Sequence, residues 1–337
     1  VTPPTQPGGT VVCFGDLLMR LGVKGHARLV QAEEFAVQYT GAEANVAVSL
    51  AGFGLQASVV SRVPAHEIGQ ACVNCLRRYG VDTRHIVRAG ERLGLFYLET
   101  GAGLRPSKVV YDRSGSSFGQ SQPGDYDWEA ILDGAGWFHF SGTAPALGAS
   151  IAQVLRDAIA VAGRKGAPVS FDCNYRNKLW SIEQARAVLP ALLAGANVFV
   201  GGVEDAVNLF GVPAAPDPEA VGQSLRAAYG LDCVAFSLRE SESASASVYG
   251  AMLCCEEGCF HSRRREITDV VDRVGSGDSF SAGLIYAMMT GLDRQAAIEF
   301  AAAAACLKHT IPGDFNLVTA DEVWSLVRGG GAGRVQR

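Results

Sequence analysis

Apolar and polar positions follow two rhythms along most of this chain. Short apolar runs rich in β-branched and aromatic residues, at Thr10–Phe14, Ser58–Val63, Trp137–Phe140, Val169–Phe171, Val198–Val200 and Val234–Phe236, predict buried strands. Apolar residues at helical spacing predict helices over Ala42–Leu50, Gly69–Tyr79, Ile151–Gly163, Ser181–Ala194, Ser281–Thr290 and Ala296–Leu307. Strands alternating with helices in this way imply an α/β fold: a doubly wound, mostly parallel sheet with helices on both faces. Two stretches break the rhythm. Residues 17–40 and 93–113 carry strand-like sequence with no helix between, and Gly101-Ala102-Gly103 reads as a hairpin turn joining Arg92–Thr100 to Lys108–Arg113. A small sheet inserted there would serve as a lid or as a dimer surface.

Composition narrows the picture. The chain has 337 residues, of which 48% are hydrophobic and 19% charged; this suits one large domain over 10–330 and excludes disorder. A net charge of −5 leaves no footprint for nucleic acid, and Arg263-Arg264-Arg265 beside Glu266 reads as a solvated strand face. No apolar run approaches the roughly 18 residues of a membrane span. Residues 1–9 and 329–337 read as flexible tails, and the Ser-rich segment 241–247 as mobile. The nine cysteines are scattered. Cys72 and Cys75 lie in a helical pattern, and Cys254, Cys255 and Cys259 lie in strand-like sequence without histidine spacing. They read as reduced thiols of a cytoplasmic protein, not as a zinc site.

The chemistry concentrates in Val271-Asp272-Arg273-Val274-Gly275-Ser276-Gly277-Asp278-Ser279-Phe280. Small residues at 275–277 admit a ligand to the backbone, and a helix beginning there aims N–H groups and the positive end of its dipole at one spot. That favours an anion. A carboxylate, Asp278, in such a place is explained if it takes the proton of a hydroxyl attacking phosphorus; the alternative is a helix cap. The rival phosphate signatures are absent: no G-x-x-x-x-G-K-[ST], no H-R-D with D-F-G, and Gly15-Asp16-Leu17 after the first strand instead of G-x-G-x-x-G.

The stretch 271–283 resembles the D-x-x-G-[AS]-G-D-x-F-x-x-G signature of ribokinase-like (PfkB) carbohydrate kinases, and Gly41-Ala42-Glu43-Ala44-Asn45-Val46-Ala47 resembles their G-G-x-x-x-N-x-A turn, with Thr40 where the first glycine is usual. The resemblance runs from about Val11 to Val327. It implies a three-layer α/β/α core with a β-sheet lid, and ATP and Mg2+ as donor and metal. Within the family, Arg105–Arg113, Asp172–Arg176 and Lys308–Asn316 are similar to the 2-keto-3-deoxygluconate kinases. A sugar acid of that kind carries a carboxylate, which a guanidinium binds through both oxygens. Arg176 follows a buried strand, at the edge where such sheets bind ligands, and Arg113 ends a lid strand with Tyr111 on the same face.

The resemblance implies Asp278 as base and Gly275, Ser276 and Gly277 as an anion hole. It also implies a sugar site of Gly41, Asn45, Tyr111, Arg113, Arg176 and Asp314, with Gly41 letting the sugar lie against the backbone. ATP would meet Asn174, Ser237, Arg239, Gly275 and Gly277, its adenine lying between a loop at 237–239 and the alanine-rich helix; plain core packing is the other reading of those alanines. Two positions depart from the family. Gly202-Val203-Glu204-Asp205 stands where N-x-x-E organises magnesium, leaving Glu204 or Asp205 to assist. Phe96 stands where tyrosine is usual, so one hydrogen bond is lost or Tyr97 supplies it. A kinase of a neutral sugar and a silent sugar or nucleotide sensor are the rival functions. A homodimer through the lid is the expected partner.

Overall fold

The computed structural model describes residues 8–241, 243 and 245–329; the tail expectations for 1–7 and 330–337, and part of the Ser-rich segment, lie outside the described residues. In chain order the elements are β1 (Thr10–Phe14), β2 (Leu18–Gly22), β3 (Ala36–Thr40), α1 (Ala42–Gly52), β4 (Ala57–Val63), α2 (Glu67–Arg78), β5 (Ile86–Arg88), β6 (Gly94–Glu99) and β7 (Lys108–Asp112). There follow α3 (Trp128–Ile131), β8 (Ala135–Ser141), α4 (Ala149–Lys165), β9 (Val169–Asp172), α5 (Ile182–Leu193), β10 (Val198–Gly201), α6 (Val203–Phe210) and α7 (Pro218–Tyr229). The chain ends through β11 (Cys233–Ser241), β12 (Ser247–Cys255), β13 (Gly258–His261), β14 (Arg265–Ile267), α8 (Ser276–Met289), α9 (Arg294–Lys308) and α10 (Ala320–Val327).

The main sheet has the order β13-β12-β11-β10-β9-β8-β1-β4-β5, with β14 also on β12. Its strands from β11 to β5 are parallel, and β12, β13 and β14 add an antiparallel edge. Period-two alternation feeds two cores. Val11 and Cys13 join the apolar cluster of α1, α2, α8 and α9, while Val12 and Phe14 join that of α4, α5, α6 and α7. The strand order reverses at β1, between β4 and β8, and ligands of such sheets bind outside the strand ends at that crevice.

The second sheet, β3-β2-β6-β7, is built from the two stretches that break the strand–helix rhythm. Leu18, Phe96 and Leu98 are buried on one face with Val109, Tyr111 and Val274. The hairpin between β6 and β7 turns one position later than expected: Ala102 and Arg105 exchange both backbone hydrogen bonds at 2.9 Å, leaving Gly103-Leu104 at the tip.

Three further expectations are corrected. Ser237, Leu238 and Arg239 form no loop; they continue β11 in register with Ala251, Gly250 and Tyr249 of β12. Not all cysteines are reduced, because Cys254 and Cys259 stand opposite each other on β12 and β13, with Cα atoms 4.1 Å apart, and are joined as a disulfide. The alanine-rich helix is core packing: Ala301–Ala305 are fully buried, and a Cβ on Gly283 of α8 would come within 2.8 Å of the Ala301 Cα. Of the two readings of those alanines, core packing against α8 is the one their burial supports.

Candidate active site

The helix α8 begins at Ser276, five residues before the apolar periodicity does, with Gly275 as its cap at φ 85°. Two constraints make residue 275 glycine. The left-handed backbone disfavours a side chain, and a Cβ would lie 2.0 Å from the Asp314 carbonyl oxygen. Gly277 differs, since a Cβ there would meet nothing within 4 Å. Nothing in the protein calls for a glycine inside this first turn, where it costs a helix about 1 kcal/mol; an approaching ligand does. The Ser276 N–H turns back to the Arg273 carbonyl at 3.3 Å. Among the described residues, the N–H groups of Gly275, Gly277 and Asp278 have no acceptor and are the ones available to an anion. The Ser276 N–H, expected in the hole, is thus engaged within the turn.

Asp278 is buried, and burial first of all pushes its carboxyl up to about 8. Asp172 and Glu43 raise it further, whereas the Asn45 amide and the Arg176 charge favour the ionised form. Asn45 comes from the first turns of α1 and donates from Nδ2 to Asp278 Oδ2 at 2.6 Å. Asp172 ends β9 beside the site, its own carboxyl pushed to about 6 by burial, and accepts from Ser281 Oγ at 3.2 Å. The carboxyl of Asp172 also accepts the Asn174 N–H at 3.1 Å. Asn174, at φ 38°, is the one non-glycine among the described residues with positive φ. This turn reverses the chain after β9 and brings out Arg176, whose exposed guanidinium forms no ion pair among the described residues but reaches Asp278, Asp172 and Asp205 by charge. Lys178 then reaches across to the lid, donating to the Val109 carbonyl at 2.9 Å.

At the switch point, Asp16 follows β1 and receives Arg113 through Nη2 at 2.8 Å and Nε at 3.1 Å, both on Oδ2. Both residues are buried, and Asp16 Oδ1 has no partner. The Arg113 guanidinium carbon lies 5.8 Å from the Tyr111 ring centre, so the two expected sugar contacts do stand together. Phe96 shares their face, opposite Arg20 and Tyr111 in register. Tyr97 points the other way, against Phe35 with ring centres 5.7 Å apart, and cannot replace the missing tyrosine. Gly41 packs against the switch point: a Cβ there would lie 2.3 Å from the Asp16 carbonyl oxygen.

Asp314, expected at the sugar hydroxyls, is buried with its carboxylate occupied. Arg20 of the lid strand β2 bonds its Oδ1, and the Thr40 hydroxyl lies 2.6 Å from its Oδ2. Arg20 also binds Asp272 Oδ2 at 2.7 Å, thus joining the two segments that flank the Gly275 turn. The fully buried Lys308 donates to the Asp272 and Ile311 carbonyls at 3.1 and 3.0 Å, bracing the same turn from below. Asp16, Arg20, Asp172, Asp272 and Lys308 were not among the site residues expected from sequence, and Thr40 was marked only as a departure from the family turn. A polar residue on the inner face of an otherwise apolar lid strand was the available signal for Arg20.

The remaining expectations concern phosphate and metal. Burial first, and then the charge of Arg239, exposed on β11, lower the Arg273 pKa, which places two guanidiniums beside the turn; Ser237 precedes Arg239 on the same strand. Glu204 and Asp205 occupy the first turn of α6, with Glu204 exposed and Asp205 half-buried on a backbone hydrogen bond from Gly202. Among the described residues no three acidic, histidine or cysteine side chains converge as a metal cage. That donor set fits magnesium, which keeps several waters and is held by one or two carboxylates together with phosphate oxygens.

Comparison with known proteins agrees with this geometry. A 2-dehydro-3-deoxygluconokinase structure from Thermotoga maritima superposes with TM-score 0.92 at 44% identity, covering 95% of this chain and all of that one. A 2-dehydro-3-deoxygalactonokinase from Haloferax volcanii is 30% identical over 96% of this chain and 98% of its own length. A 2-dehydro-3-deoxygluconokinase from Bacillus subtilis is 27% identical over 90% of this chain and 91% of its own. The pfkB family carbohydrate kinase model matches residues 9–318, which takes in both glycine turns and the carboxylate at 278, so the chain belongs to the PfkB family of carbohydrate kinases.

Proposed function

We propose that this kinase transfers the γ-phosphoryl group of ATP to the 6-hydroxyl of 2-dehydro-3-deoxy-D-gluconate, giving the 6-phosphate and ADP. One observation carries the reading: a buried carboxyl in the first turn of a helix whose neighbouring Gly277 leaves open space for an anion. Asp278, once ionised, takes the hydroxyl proton as that oxygen attacks phosphorus and the bond to the bridging oxygen of ADP breaks. The N–H groups of Gly275, Gly277 and Asp278 receive the charge gathered on the transferred oxygens. Arg239, with Ser237 and Asn174, lines the nucleotide side. When bound, magnesium neutralises phosphate charge, and Glu204 and Asp205 are the residues that would hold it.

For the acceptor, Arg176 binds the carboxylate, and the unpartnered Asp16 Oδ1 takes a sugar hydroxyl. Tyr111 and Arg113 form the lid wall. Names of similar proteins support an acidic sugar of this class, and dependence on ATP supports a cytoplasmic setting. No helix among the described residues is long and apolar enough to cross a membrane. The outer lid face carries the register row Val37, Leu21, Tyr97 and Val110, with Val37 54% and Val110 42% exposed, which a second copy would cover.

The test is ADP release with 2-dehydro-3-deoxygluconate, its epimer at carbon 4, ribose and fructose, each with and without magnesium. The keto acid should give the highest kcat/KM. Faster turnover of ribose or fructose would defeat the carboxylate reading, and light scattering at the monomer mass would defeat the dimer.

A further inference from the structure

Thr40 stands where the G-G-x-x-x-N-x-A turn usually has its first glycine, at the end of β3 and one residue ahead of the Gly41 cap of α1. Its hydroxyl is buried between two groups, 2.9 Å from Asn45 Oδ1 and 2.6 Å from Asp314 Oδ2. Asn45 in turn reaches Asp278. A continuous run of buried polar contacts thus links the lid residues Arg20 and Thr40 to the carboxyl in the anion turn.

We propose that Thr40 is a positioning residue for the base: its hydroxyl holds the Asn45 amide with nitrogen toward Asp278, leaving Asp278 Oδ1 to receive the substrate proton. This rests on Asp278 acting as that base. An amide has a donor end and an acceptor end of nearly equal shape, so its orientation is set by what each end meets. The hydroxyl has one proton and two lone pairs. The one hydroxyl proton goes to Asn45 Oδ1, the 2.6 Å contact being closed by a proton on Asp314, whose carboxyl burial raises, and the Nδ2 end is the one presented to the Asp278 carboxylate. Glycine at this position would leave the buried Asn45 oxygen without that partner and the amide free to turn its oxygen toward Asp278.

Other groups facing Asp278 are Asp172 from β9, Glu43 from α1, Arg176 from the loop after β9 and Lys308 from α9. A change at Thr40 alters none of them, and Asp314 keeps Arg20 as its partner.

The experiment compares full-length wild type with Thr40→Val, Thr40→Gly and Thr40→Ser, recording kcat against pH, KM for ATP and thermal midpoint. Loss of the hydroxyl in both T40V and T40G should move the acid limb of kcat upward by about half to one pH unit and lower kcat at pH 7 roughly three- to ten-fold. KM for ATP should stay within about two-fold of wild type, and T40S should restore the wild-type limb. An unmoved limb in T40G, a shift confined to the bulkier T40V, or a T40S that behaves like T40V would each overturn the proposal. An Asp278→Asn variant that kept wild-type turnover would instead remove the underlying assignment of the base.

Discussion

Replacing Asp278 by asparagine removes a charge while keeping the shape and an oxygen for the Asn45 amide. In the folded protein the carboxyl is raised from an ordinary value near 3.9 to about 8, chiefly by burial. A raised carboxyl helps the fold while it is protonated. That contribution is complete below the unfolded pKa and is lost as pH rises through about 8, so charging this group destabilises the protein in alkaline solution. Four units correspond to an upper bound of about 5 kcal/mol, which sharing of protons with Asp172 and Glu43 reduces. We expect Asp278→Asn to raise the thermal midpoint at pH 9 by roughly 3 °C or more, since about 1 kcal/mol moves a chain of this size by a few degrees. At pH 5, where Asp278 is neutral in the folded protein but already ionised in the unfolded chain, the difference should shrink to roughly a quarter of its value at pH 9, and it should vanish only below about pH 4. The same variant should retain ATP affinity and lose kcat by at least about a thousand-fold. Scanning calorimetry at the two pH values decides the matter: an equal midpoint difference at both, or a less stable variant at pH 9, would refute the argument from burial.

The two glycines of the anion turn should behave oppositely. Gly275→Ala meets the Asp314 carbonyl and a left-handed backbone, and should cost several kcal/mol in urea unfolding. Gly277→Ala should fold at least as stably as wild type and yet lose turnover by about ten-fold or more, measured by ADP release. Arg176→Ala should raise KM for the sugar acid about ten-fold or more with little change in KM for ATP, and Arg176→Lys should recover only part of it, because a single ammonium cannot grip both carboxylate oxygens. Arg113→Ala strands the buried Asp16; it should cost about 3 kcal/mol at pH 8 and less at pH 5, where Asp16 can protonate, as read from denaturant midpoints.

Much of this architecture was legible in the residues. Thr10–Phe14 is a strand over the very span its apolar run marks, because a buried parallel strand needs little beyond five apolar or β-branched side chains. The start of α8 was legible only five residues late. Gly275-Ser276-Gly277-Asp278 has the composition of a loop, and tertiary packing of α8 against α1 and α9 overrides that preference. The length of β11 was hidden because Ser237-Leu238-Arg239-Glu240 alternates weakly and gains its strand character from pairing with β12. In the site, Asp278 and Arg176 stood out because local context, a glycine turn and a strand end, announces them. The partners of Thr40 and Arg20 lie 274 and 294 positions away at Asp314, and no local pattern encodes such a contact.

The grip of Arg20 on both Asp272 and Asp314 bears on how this enzyme can open. A flap that swung as a whole would have to pull one guanidinium out of two carboxylates in a water-poor interior, at a cost of several kcal/mol in every cycle. The inner strand of the lid is therefore an anchored pivot. Breathing that admits sugar and releases product falls to the tip of the β6–β7 hairpin, away from the buried Arg113–Asp16 pair, where Lys178 on the Val109 carbonyl is a light tether to the floor of the cleft.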